Sequence, residues 1–201
     1  SGHTTSATSL AAAFALNWRK KAWVWVVGAA YVALVGFSWL YLGVHTPMDV
    51  LCALALSFVM ALVVDAAFAD CEKRPGHVRL YFALCAVLAL AMLACAQVLV
   101  SVGLVPENQA ADAFKTGGAA LALLLGVYLE NKYVRFDVRA PLGVQAWKLA
   151  AGVLMALTIK EGLKIALGTS LPMQFLRYFL TVLFVVAGYP WLFSRMLKRA
   201  A

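Results

Sequence analysis

His45 and Asp49 stand four residues apart in the stretch SWLYLGVHTPMDV (residues 38–50), within a chain that is otherwise close to continuous hydrocarbon. A carboxylate near an imidazole can accept its N–H, fix the tautomer and leave the other ring nitrogen free as base or nucleophile. Histidine is an accepted covalent nucleophile, and a phosphorylated histidine needs such an orienting partner. The neighbouring residues have a simpler reading. Pro47 suits the first turn of a helix, Thr46 suits the cap before it, and Asp49 complements the dipole of that first turn. A good helix start accounts for Thr46, Pro47 and Asp49. It does not account for His45.

A second polar stretch, SGHTTSAT, occupies residues 1–8. Ser1 and Gly2 precede a run of helix formers, which places them at a helix N-terminus. There, free N–H groups and the helix dipole favour an anion, and Gly permits close backbone approach. His3 adds a group suited to proton transfer near neutrality. Taken alone, this segment is also explained by a capping Ser and an incidental interfacial His.

These residues must be positioned by apolar helices. The 201 residues are 64% hydrophobic, far above the roughly 45–50% of a soluble domain, so too few charges exist to build a water-facing surface. Apolar runs fall at about 4–17, 22–42, 48–68, 78–103, 114–130, 147–168 and 173–194, against the roughly 20 residues that span a bilayer as helix. The expected fold is all-α, a polytopic transmembrane bundle of about six to seven helices, the first run being short for a span. Stretches 67–78 and 131–144 are the sizeable polar connections.

The net charge of +8 does not point to nucleic acid, because the basic residues fall in short clusters between spans. Arg19, Lys20 and Lys21 form one cluster, and Lys73, Arg74 and Arg79 a second. Lys132, Arg135, Arg139 and Lys148 form a third, and Arg195, Lys198 and Arg199 close the chain. The positive-inside rule makes that side cytoplasmic, and the alternation holds across all the spans. Residues 1–3 and 45–49 then share the non-cytoplasmic face. Cys52, Cys71, Cys85 and Cys95 lack ligand-like spacing and read as small hydrophobes rather than as a metal site or disulfides. His77 reads as a solvated loop residue.

With these residues placed, SGHTTSAT and SWLYLGVHTPMDVL resemble the second and third signature motifs, PSGH and SRxxxxxHxxxD, of the type-2 phosphatidic acid phosphatase (PAP2) superfamily. Ser1, Gly2 and His3 match the second motif, while Ser38, His45 and Asp49 match the third at the correct spacing. The segments GVYLENKYVRF, KEGLK and LRYFLTVLFVVAGYPWLF resemble the C-terminal extension of bacterial members. The resemblance implies a PAP2-like core over residues 1–70 and a transmembrane extension over 71–201. It also implies a metal-independent, cofactor-free phosphatase of lipid phosphates in a bacterial inner membrane, its active site facing outward. In that reading His45 attacks phosphorus, Asp49 orients it and His3 protonates the leaving group. Ser1, Gly2 and Ser38 contact the phosphate. The substrate would be an isoprenoid pyrophosphate, phosphatidate or phosphatidylglycerophosphate. Oligomeric state is not legible in the sequence.

Two departures stand out. The first motif, KxxxxxxRP, belongs upstream of PSGH, so the resemblance is to a member that is N-terminally incomplete at Ser1. The KRP at Lys73–Pro75 does not supply it, since Ala67 stands where the motif needs Lys. Trp39 occupies the place of the third motif's Arg, and its indole has an N–H but no charge for phosphate. Two expectations follow: a phosphatase impaired by these losses, or a catalytically inactive relative that binds lipid phosphates or serves as a scaffold.

The stretch TIKEGLKIALG places Lys160, Glu161 and Lys164 in an apolar helix, with Arg177 near the outer end of the next. Intramembrane charge invites a functional reading, here a second cationic patch for a lipid phosphate. The preferred reading is structural: Glu161 pairs with a neighbouring helix while the lysines snorkel to the interface.

Overall fold

The computed structural model describes residues 2–136 and 142–200, with side chains through residue 195. All regular structure among the described residues is helical. The elements are α1 (Gly2–Asn17), α2 (Ala22–Tyr41), α3 (Pro47–Lys73), α4 (His77–Ser101), α5 (Glu107–Leu129), α6 (Leu142–Leu167), α7 (Leu171–Leu183) and α8 (Tyr189–Ala200). A π turn (Glu130–Val134) extends α5, and another (Phe184–Gly188) joins α7 to α8 without a break. Six of these rods are long and apolar enough to cross a bilayer: α2, α3, α4, α5 with its π turn, α6, and α7 running into α8. Along α4 the mean hydropathy is 2.5 while only 6% of the span is buried, an apolar exposed surface that suits a bilayer and not water. The chain is an integral, multi-pass membrane protein.

Several boundaries differ from the apolar runs for physical reasons. α5 begins at Glu107, not near residue 114, because its first turns carry Glu107, Asp112 and Lys115 and so read as loop in a hydropathy window. α3 continues to Lys73, which reduces the expected polar connection at 67–78 to a tight corner. His77 closes that corner. It opens α4, and its Nδ1 lies 2.6 Å from Asp70 Oδ2, where the sequence suggested a solvated loop residue.

The chain forms two compact units, Ser1–Arg79 and Leu80–Ala201. In the first, α1 packs against both α2 and α3. Its buried positions are Thr4, Ala7, Thr8, Ala12, Ala15 and Leu16, a mostly small-residue stripe at helical spacing. Gly28 on α2 faces Ala11, where an added Cβ would make an ordinary van der Waals contact at 3.4 Å. At the other end of α1, Arg19 donates to both carboxylate oxygens of Asp65 on α3, at 3.0 and 2.8 Å.

In the second unit α5 is the central rod. Leu171 of α7 packs with Ala110, Ala111 and Phe114, and Leu93, Ala96 and Val100 of α4 close over the same cluster. α6 is held by Tyr189, whose hydroxyl donates to the Lys148 carbonyl at 2.6 Å. The tightest approach is at Gly118, where an added Cβ would fall 2.5 Å from the Phe175 carbonyl oxygen. That neighbour is backbone and cannot rotate away. Gly118→Ala is therefore expected to destabilise the protein by about 1–3 kcal/mol, lowering the thermal midpoint in detergent. Gly162→Ala, with open space around its site, should leave the midpoint unchanged or slightly raised. Equal midpoints for Gly118→Ala and wild type would show that α5 and α7 do not approach this closely.

Candidate active site

The site is built where α2 ends and α3 begins, beside the start of α1. Leu42 N–H donates to the Ser38 carbonyl and Gly43 N–H to the Leu40 carbonyl, closing α2. Gly43 has φ +68°, a left-handed conformation open to glycine at little steric cost, which turns the chain toward α3. Thr46 then caps α3. Its hydroxyl accepts from the Asp49 N–H at 3.2 Å, and Asp49 Oδ2 accepts from the Thr46 N–H at 2.9 Å. With Pro47 in the first turn this is a complete capping box, built from the residues the sequence nominated for a helix start.

His45 sits immediately before that cap. Its Nδ1 lies 3.8 Å from Asp49 Oδ2, within ion-pair range but beyond a hydrogen bond. The same oxygen receives the Thr46 amide, so one carboxylate oxygen faces both the helix terminus and the imidazole. The His45 side chain is 30% exposed, open enough for a substrate to reach it.

Trp39 joins the second histidine to the first. Its indole stacks on the His3 ring with centroids 4.2 Å apart and planes 25° apart. Its edge contact with His45 has centroids 5.8 Å apart at 67°. One neutral ring thus touches both imidazoles, from α1 and from the α2–α3 loop. Sequence reasoning nominated both histidines and noted Trp39 as a departure, but missed this contact, because pairing between helices has no local signature.

The other nominated residues divide. Gly2 begins α1, and nothing lies within 4 Å of where its Cβ would be, so its backbone is open to an approaching group. Ser38 donates its hydroxyl proton to the Val35 carbonyl at 2.8 Å, so in this conformation it can accept but not donate to a phosphate. Ser1 lies outside the described residues. Thr4, next to His3, and Thr8, about one turn further along α1, are buried with hydroxyls that have no hydrogen-bond partner. The sequence signal for them was their spacing on the small-residue face.

Lys160, Lys164 and Arg177 belong to the second unit. Among the described residues, Glu161 pairs within its own helix and not with a neighbouring one as expected. It lies 3.4 Å from Lys160 and 3.9 Å from Lys164 on its own helix, because all three side chains emerge within about one turn. Those lysines are partly exposed, whereas Arg177 is buried.

As a chemical device, the first unit offers two imidazoles, one carboxylate and the N-terminal ends of α1 and α3, whose dipoles favour an anion. Among the described residues, the ring and ion-pair contacts of His3, Trp39 and His45 are with one another and with Asp49, and include no Lys or Arg.

Comparison with known families gives two matches: the PAP2 superfamily over residues 1–73, and the PAP2 superfamily phosphatase transmembrane extension over residues 114–200. No curated protein and no solved structure matches the chain. The first match covers the helices that carry His3, His45 and Asp49, and the second covers most of α5 through α8. Core and extension occur in one chain in the expected order, and the protein belongs to the PAP2 superfamily, as an integral membrane member of that phosphatase family.

Proposed function

We propose that this protein hydrolyses a lipid phosphate monoester or pyrophosphate through a phosphohistidine at the non-cytoplasmic face. The observation that carries the reading is that His3 and His45 stand at one mouth, each in contact with the same ring, Trp39. His45 turns Nδ1 toward Asp49, leaving Nε2 as the attacking atom. Its lone pair forms the N–P bond as the P–O bond to the leaving group breaks, and His3 gives its proton to the departing oxygen, an alkoxide from a monoester or a lipid phosphate from a pyrophosphate. Water then attacks the phosphohistidine, releasing inorganic phosphate, and its proton restores His3. Asp49 stabilises the imidazolium character that develops on His45. The clustering of basic residues on the opposite side of the spans supports the outward orientation. Isoprenoid pyrophosphate, phosphatidate and phosphatidylglycerophosphate are the substrates to test.

Phosphoryl transfer depends mostly on positioning and charge neutralisation, and here Trp39 supplies a surface without a charge. Losing one cationic contact to a transferring phosphate costs several kcal/mol, roughly 10²- to 10³-fold in rate. That observation favours a second reading, a non-catalytic relative that binds lipid phosphates. Binding without release of inorganic phosphate would establish the second reading over the first.

Phosphate release from the three lipid classes in detergent micelles should fall to background in His45→Ala. Equal release from wild type and His45→Ala would overturn the nucleophile assignment. In His3→Ala, kcat should fall more for alkyl phosphates than for p-nitrophenyl phosphate, whose leaving group needs no proton. An equal fall on both would remove His3 as the acid. Trp39→Arg should raise kcat/KM about tenfold or more by restoring a guanidinium to the mouth. An unchanged rate would place position 39 outside the phosphate clamp.

A further inference from the structure

Arg177, in the second turn of α7, is 5% exposed, and its Nε and Nη1 are sealed from solvent with no hydrogen-bond partner. The Tyr178 ring, 5.3 Å from Cζ, offers a π face but no acceptor for those two donors. A guanidinium does not lose its proton in a protein, so burial cannot be relieved by neutralisation. Left alone, a buried charge of this kind is costly, and an anion would offset that cost.

The neighbouring acids are not available to it. α7 itself carries none. On α5, Asp112 is taken by Lys115 at 2.8 Å and is 86% exposed. The register fixed by Leu171 on Ala110, Ala111 and Phe114, and by Phe175 at Gly118, sets Arg177 about 12 Å further along α5 than Asp112. On α6, Glu161 is shared between Lys160 and Lys164 and is 54% exposed.

Two lysines stand near its level on the neighbouring helix. α6 and α7 form an antiparallel hairpin around Gly168, which has φ +78°. Lys160 and Arg177 each lie about 10 Å from that turn along their helices, at one level. Helical side chains lean toward their own N-terminus, which carries the Arg177 head toward the turn and the lysine heads away from it, Lys164 starting nearer the turn than Lys160. The start of α7 has no acidic residue in its first turn, the Ser170 side chain makes no capping bond, and Pro172 follows. Its free amides therefore add positive potential.

We infer that Arg177 is the buried anchor of a phosphate-binding site at the α6–α7 turn, with Lys160 and Lys164 at its rim. The planar guanidinium fork suits two oxygens of a tetrahedral phosphate. The group comes either from the headgroup of an anionic lipid or from free inorganic phosphate. The site is independent of the chemistry assigned to His45.

The test uses the full chain in phosphatidylcholine nanodiscs, with thermal stability and native mass spectrometry as readouts. One arm adds phosphatidylglycerol, a phosphodiester that a phosphomonoesterase does not consume, and the other adds inorganic phosphate. Wild type should gain stability and retain the anion, while Arg177→Met should bind about tenfold more weakly and match or exceed wild-type stability without anion. Should Arg177→Met fail to fold, Lys160→Gln with Lys164→Gln, both on exposed positions, should weaken binding severalfold. Stabilisation by phosphatidylglycerol alone assigns a lipid headgroup, and stabilisation by inorganic phosphate as well assigns free phosphate. No response of wild type to either probe, or an equal response of wild type and Arg177→Met, would overturn the site.

Discussion

Helices in a bilayer gain nothing by hiding apolar surface from one another, because lipid is as apolar as leucine, so close backbone approach must hold them. This constraint governs both units. α1 turns Thr4, Ala7, Thr8, Ala12 and Ala15 toward its neighbours, and α5 turns Ala110, Gly117, Gly118, Ala122 and Gly126 toward its own. The seam along α1 brings the start of that helix against the end of α2, and so sets His3 on Trp39. The seam along α5 fixes the register of α7, and so the depth of Arg177.

At the mouth of the first unit, geometry and charge pull apart. The imidazoles are held by stacking and by the turn at Gly43, contacts that need no ligand to form. What a phosphate dianion would meet there is a neutral indole and two helix termini, one already capped by Thr46 and Asp49. Positioning is thus pre-organised while charge neutralisation is thin. The second unit shows the reverse: a guanidinium sealed from solvent, with its nearest acids committed elsewhere.

The spans were legible because a 20-residue apolar run has few alternatives, and the motif spacing was legible because His45 and Asp49 lie in one short segment. The start of α5 was not, since its first turns alternate charge with alanine and carry too little hydropathy. The partner of Glu161 was misread because a local pairing one turn away competes with any partner on another helix. The corner at His77 and the stack at Trp39 were hidden for a common reason. Each depends on which face of a helix meets another chain segment, and no local pattern encodes that. The burial of Arg177 belongs to the same class.

Asp49 has one structural duty and, in the proposed mechanism, a second, and they are not equally exposed to loss. Its Oδ2 secures the first turn of α3 through the Thr46 amide, so the carboxylate would be retained by a lineage that had abandoned chemistry altogether. His45 closes no helix and completes no box; its ring meets the edge of Trp39 and, at 3.8 Å, the Asp49 carboxylate. Across descendants of this fold, then, an aspartate at this position records that the helix still starts there. Only the histidine beside it records whether selection still asks the site to react.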